Sequence, residues 1–259
     1  MTSTTTQRAS TDRVSFENSR GLSLVGLLER PAQAPRFFAL VAHCFTCTKD
    51  FPAVARISRA LAQVGIAVLR FDMTGLGASA GDFSSSNFST AIDDLQSAAA
   101  FLARHETAPT LLIGHSWGGA TCLATAQQLP GVSAIATIAA PSDPAHVLEH
   151  FPREVERALE VGAAPIAIAG RSYELTRQFI EDVRSHDHTA TLRSLNRPLL
   201  ILHSPSDSTV DIAHAQRIYE TVRGTRSFIA LPNADHVLSE RRHTDYTATM
   251  IDAWFKGYC

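Results

Sequence analysis

The sequence predicts an α/β domain: a mostly parallel central sheet flanked by helices on both faces. Three observations carry that expectation. Continuous apolar runs recur at 37–42 (FFALVA), 66–71 (IAVLRF) and 198–203 (PLLILH), as strands covered on both faces require. Segments with helical spacing separate the runs, and strands that alternate with helices pair in parallel. The length of 259 residues suits one large domain of this class or two small ones.

The elements follow in order. Residues 13–18 and 22–29 read as two strands joined by a turn from Asn18 to Gly21. After the strand at 37–42, Val54, Ile57, Leu61 and Val64 fall on one face of a helix over 52–64, which Gly65 stops. A strand at 66–71 leads into 73–87, a Gly- and Ser-rich loop. Ala91, Leu95, Ala98 and Leu102 mark the inner face of a helix over 88–104. A strand at 110–114, a helix at 117–129 and a strand at 133–139 come next. The series closes with the strand at 198–203, a helix near 212–222, a strand at 226–231 and a helix near 243–256. Residues 142–196 break the rhythm. They carry more charge, a hairpin pattern at 165–175 and short helical pieces, and read as a small cap insertion over one end of the sheet. Residues 1–12 (MTSTTTQRASTD) hold no apolar run and read as a disordered tail before one domain over 13–259.

Composition narrows the partners. Apolar residues make up 45% and charged residues 19%, with a net charge of −2 and no long run of one sign. Nucleic acid and an anionic membrane surface are therefore not expected partners. The N-terminal stretch lacks the apolar middle of a signal peptide, and no stretch reaches the ~20 apolar residues of a membrane span. A cytoplasmic location is the expectation. Oligomeric state leaves no mark in the sequence.

The chemistry starts at Gly114-His115-Ser116-Trp117-Gly118, a G-x-S-x-G between an apolar strand and a helix rich in Ala and Leu. That setting makes a tight turn which pushes Ser116 Oγ out at the carboxyl end of the sheet, where ligands bind. A serine hydroxyl needs a base to become a nucleophile, and imidazole titrates near neutrality. Of eleven histidines, His236 follows the last strand, in LPNADH (231–236), at the same sheet end. Asp207 follows the preceding strand, in LLILHSPSD (199–207), where a carboxylate fixes the imidazole tautomer. Asp211 and Asp235 compete for that role, but the first suits a helix cap and the second stands too near His236 in sequence.

The backbone N–H groups of Phe45 and Trp117 are the expected oxyanion donors, with Cys44 the alternative to Phe45. Each such donor lowers the barrier by about 3–4 kcal/mol. Cys44, Phe45, Trp117 and Phe151 are the expected lining of the substrate pocket, and the short insertion points to small or medium acyl groups. Four cysteines are too few for a disulfide scaffold. The C-x-x-C of Cys44 and Cys47 reads as a reduced structural pair, with thiol redox chemistry as the alternative. No metal site is expected, because that pair has too few ligands and His186 and His188 around Asp187 read as a polar helix end.

Five stretches carry a likeness: AHCFTCTKD (42–50), VLRFDMTGLGASAGDF (68–83), LIGHSWGG (112–119), APSDPAHV (140–147) and IAGRSYEL (168–175). The chain resembles α/β-hydrolases related to the hydrolase half of hydrolase–OsmC fusion proteins, over most of its length from about residue 20, and HCFTC is the most specific stretch. The resemblance implies the α/β-hydrolase fold and a compact, esterase-like serine hydrolase without a cofactor. It places Ser116, Asp207 and His236 in the triad by motif position. One departure stands out: the His-Gly common in hydrolase oxyanion loops is His43-Cys44 here, so Cys44 must adopt that backbone without glycine's freedom. The resulting expectation is two-step acyl transfer on a small-molecule ester through an acyl-enzyme. A thioesterase or peptidase would use the same residues.

Overall fold

In a computed structural model, residues 8–259 are described. β1 (Ser10–Glu17) and β2 (Ser23–Arg30) form an antiparallel hairpin through the expected turn, where Gly21 takes φ +73°. Residues 10–12, expected in a tail, are therefore strand, while 1–7 lie outside the described residues. Polar composition hid this segment, because an edge strand needs ladder partners rather than two apolar faces. Ser10, Thr11 and Asp12 find theirs in Arg30, Glu29 and Leu28.

The chain continues through β3 (Phe37–Ala42), α1 (Pro52–Gln63), β4 (Ile66–Phe71), α2 (Phe88–His105), β5 (Leu111–His115), α3 (Trp117–Thr125) and β6 (Ala134–Ile138). It then leaves the sheet for a 3₁₀ helix (Pro144–His150), α4 (Pro152–Val161), the hairpin of β7 (Ala163–Ile168) and β8 (Arg171–Thr176), α5 (Arg177–Ser185) and α6 (His188–Ser194). It returns with β9 (Leu199–His203), α7 (Ile212–Thr221), β10 (Arg226–Ala230) and α8 (Arg241–Phe255). The eight sheet strands run in the order β1-β2-β4-β3-β5-β6-β9-β10, antiparallel at β1/β2 and β2/β4 and parallel elsewhere.

Both faces of this sheet are covered, which explains the uninterrupted apolar runs. Along β3, Phe38, Leu40 and Ala42 join the core under α2 and α3, while Ala39 and Val41 join the core under α1 and α8. Fully burying a large apolar side chain stabilises by about 1.5–3 kcal/mol. Helix boundaries have local causes. Pro52 starts α1 where its missing N–H costs nothing, and Asn87 caps α2 in a reciprocal capping box with Thr90. Val64, expected on the inner face of α1, is instead its half-exposed cap, and Gly65 turns the chain at φ +92°. Among the described residues no helix is long and apolar enough to cross a membrane. Parallel pairing brings the loops after β3, β5, β9 and β10 to one end of the sheet.

Candidate active site

The turn after β5 is built by close approach. Ser116 takes φ 54° and ψ −120°, a strained backbone for a non-glycine residue that costs about 1–3 kcal/mol. Two glycines admit it. A Cβ at Gly114 would stand 2.3 Å from the Gly118 carbonyl oxygen, and one at Gly118 would stand 2.3 Å from that of Ala42. The Ser116 N–H donates to the Ile138 carbonyl at 2.8 Å, and the Ser116 carbonyl accepts from Gly119 N at 2.8 Å. Strand, turn and helix thus hold the serine from both sides.

His236 lies between the other two residues. Its Nε2 is 3.0 Å from Ser116 Oγ and its Nδ1 is 2.8 Å from Asp207 Oδ2. Asp207 is buried, and its Oδ1 accepts the N–H groups of Thr209 and Val210, each at 2.9 Å. Burial works against its charge, but the hydrogen bonds from His236 and Val210, attraction to His236 and the Thr209 amide outweigh that. The carboxyl group therefore titrates below its ordinary value. The competing aspartates are occupied elsewhere: Asp211 caps α7 through Ala213 N, and Asp235 accepts from Ser239 N.

The loop after β3 faces the same serine. The His43 Nδ1–H donates to the Cys44 carbonyl at 2.8 Å, and Met73 N donates to His43 Nε2 at 3.2 Å. This arrangement requires a neutral ring, and burial lowers its pKa. A trans peptide points its N–H opposite to its C=O. Pinning the Cys44 carbonyl from His43 and from Cys47 N therefore fixes the direction of the Phe45 N–H. Neither that amide nor Trp117 N is spent on another hydrogen bond among the described residues. Behind the loop, buried Asp72 accepts from Lys49 N, Lys49 Nζ and Ala78 N, tying the 73–81 segment to it.

The loop corrects two expectations. The left-handed backbone falls on Thr46, at φ 55°, and not on Cys44. Cys44 and Cys47 are joined by a disulfide, with Cα atoms 5.3 Å apart, and are not a reduced pair. A thiol reagent applied without reductant should titrate exposed Cys259 alone. Cys122 is buried and burial raises its pKa, so it should react only after unfolding. Three reactive thiols in the native, unreduced protein would mean that the pair is open.

Ser116 and His236 open onto a cleft of about 590 Å³ lined by Cys44, Phe45, Phe51, Phe151, Tyr173 and Val237, among others. Of the four residues expected in the pocket, Cys44, Phe45 and Phe151 line this cleft and the Trp117 side chain does not. The indole is 5% exposed and borders a second, smaller pocket of about 20 Å³ on the other side of Phe45 and Thr46. Its ring packs against Phe45 at 5.4 Å and stacks on Phe179 of α5 at 5.7 Å, with Phe45 and Phe179 5.6 Å apart. The Tyr173 hydroxyl donates to the Thr46 carbonyl. Sequence reasoning missed Tyr173 and Phe179, because nothing local in the chain shows which rings of an insertion meet a distant loop.

Comparison with known proteins places the fold in a family. The family model described as "Serine aminopeptidase, S33" matches residues 51–168. An esterase domain of a Rhodothermus marinus protein is 40% identical, over 96% of this chain and 99% of that one, with a TM-score of 0.78. The chain belongs to the α/β-hydrolase family of serine hydrolases. Two more distant structures share the hydrolase's fold. Est1E from Butyrivibrio proteoclasticus, solved with ferulic acid, is 16% identical over 95% of this chain and 98% of its own, at a TM-score of 0.78. Mouse alpha/beta hydrolase domain-containing protein 10 is 18% identical over 96% and 100%, at 0.80. A search of curated proteins returns no match.

Proposed function

We propose that this hydrolase cleaves small or medium carboxylic esters by two-step acyl transfer. The observation that carries the reading is the Ser116–His236–Asp207 hydrogen-bonded chain opening onto an apolar-walled cleft. His236 Nε2 takes the Ser116 proton as Oγ attacks the acyl carbon. Asp207 keeps the proton on Nδ1 and stabilises the imidazolium that forms. The Phe45 and Trp117 amides receive the oxyanion, each contributing about 3–4 kcal/mol. His236 then protonates the departing alcohol. Water, deprotonated by His236, attacks the acyl-enzyme, releases the acid and restores Ser116. No step calls for a cofactor. The insertion over 142–196 serves as a small cap through Phe151, Ile168 and Tyr173, which line the cleft. HCFTC at 43–47 supports the narrower likeness to the hydrolase half of hydrolase–OsmC fusions.

A peptidase reading draws on the family description. An aminopeptidase must bind its substrate's ammonium group, and Asp50 is the carboxylate in the cleft lining. That carboxylate already pairs with Lys49 and Arg70 at 3.1 Å each, which favours the ester reading. The test is a panel of p-nitrophenyl acetate, butyrate, octanoate and laurate alongside an aminoacyl p-nitroanilide and an acyl thioester. The expected result is the highest kcat/KM among the shorter esters. A preference for laurate would overturn the size assignment, and cleavage of the anilide or thioester alone would overturn the ester assignment.

A further inference from the structure

One buried titratable group beside the triad has no part in that mechanism. His115 ends β5, immediately before Ser116, and is 2% exposed. Its ring stacks on Phe51 at 5.8 Å with 11° between the planes and stands 5.3 Å from the His236 ring. Its Nε2 lies 2.8 Å from the His236 backbone carbonyl. A carbonyl only accepts, so Nε2 must carry the proton and donate it. Nδ1 has no partner among the described residues, and the ring borders a small cavity walled by Val41, Ile113, Ile138 and Leu238. A cation would be poorly tolerated there. Burial first, and the nearby His236 second, push the imidazole down to about 3, against the pull of Asp207.

The bond closes a short ring through the site. It runs from Ser116 to His115 along the backbone, across to the His236 carbonyl, out through the imidazole and back to Ser116 Oγ. Asp207 sets the rotation of the imidazole but not where its backbone stands. The segment that carries His236 is irregular, with non-glycine Asn233 at φ 57° and Leu238 at φ 48°. We propose that His115 is a positioning residue for the base: its Nε2–H anchors the His236 backbone at the distance from which the imidazole meets Ser116 Oγ. Because the donor belongs to the residue before the nucleophile, the bond ties base and nucleophile into one register. This role rests on the triad reading above.

The test compares Ser116→Ala, His115→Leu and His115→Gln on p-nitrophenyl acetate. Leucine fills the space without a donor, and glutamine offers an amide N–H near the place of Nε2. The expected kcat of His115→Leu falls on the order of ten- to hundredfold, the scale of a ~1 Å misplacement. KM stays within about twofold, as for a loss felt after binding. His115→Gln recovers most of the rate. Full kcat in His115→Leu, or a His115→Gln as slow as the leucine variant, would overturn the role. An active Ser116→Ala overturns the triad and this role with it, whereas an inactive Ser116→Ala beside a fast His115→Leu overturns this role alone. Nitrogen-15 histidine spectra of the unmodified protein decide independently of any variant. A neutral Nε2–H form at His115 from about pH 5 to pH 9 is expected, and an Nδ1–H form or titration within that range would refute the assignment.

Discussion

Ser116→Ala should reduce ester hydrolysis by about 10⁴-fold or more in kcat while leaving the fold intact. The alanine inherits the same φ of 54°, so the turn carries no new strain, and the Ser116 N–H to Ile138 carbonyl bond is unaffected. What disappears is the hydroxyl that stands 3.0 Å from His236 Nε2. Initial rates on p-nitrophenyl acetate and labelling by a fluorophosphonate both read this loss. Labelling should vanish, while binding of a non-hydrolysable ester analogue should persist. A variant that keeps more than about one hundredth of the rate would exclude Ser116 as the nucleophile.

Asp207→Asn should lower kcat on the order of 10⁴-fold, through a route the structure makes specific. Two backbone amides, Thr209 and Val210, donate to Oδ1, so the amide oxygen of asparagine must take that place. Its NH₂ group is then turned towards His236 Nδ1, where only an acceptor can receive it. The imidazole proton moves to Nε2 and points at Ser116 Oγ, and the ring can no longer accept a proton there. Asp207→Ala should also be slow, but for a second reason: it leaves the buried Val210 N–H unpaired, at a cost of about 1–3 kcal/mol, and frees the neighbouring Thr209 N–H as well. Urea unfolding separates the two variants. Asparagine should hold close to native stability and alanine should not. Equal stability would mean that the amide pair does not anchor this side chain.

The sheet and the juxtaposition of Ser116, Asp207 and His236 were legible because each rests on a local pattern. FFALVA and IAVLRF need no context to read as doubly covered strands, and β3 and β4 start and stop where those runs do. Ser116, Asp207 and His236 each follow such a run, so topology alone carries them to one rim. Residues 10–12 were not legible, since backbone pairing with β2 holds them and polar side chains conceal it. The Cys44–Cys47 bond was not legible either, because spacing cannot report oxidation state. His115 was in plain view inside its motif, but its worth depends on a carbonyl 121 residues away. Trp117 misled for a related reason. Its amide starts α3 beside Ser116, while its side chain packs into a cluster of rings away from the cleft lining.

That cluster bears on how substrate arrives. Phe179 belongs to the insertion, yet it is wedged against the two side chains whose amides are assigned to the oxyanion. An enzyme that opens by swinging such a segment aside would tear down its own catalytic wall with each cycle. If the triad acts as proposed, substrate should enter through the standing cleft above Ser116, and turnover should be indifferent to detergent micelles or oil–water boundaries.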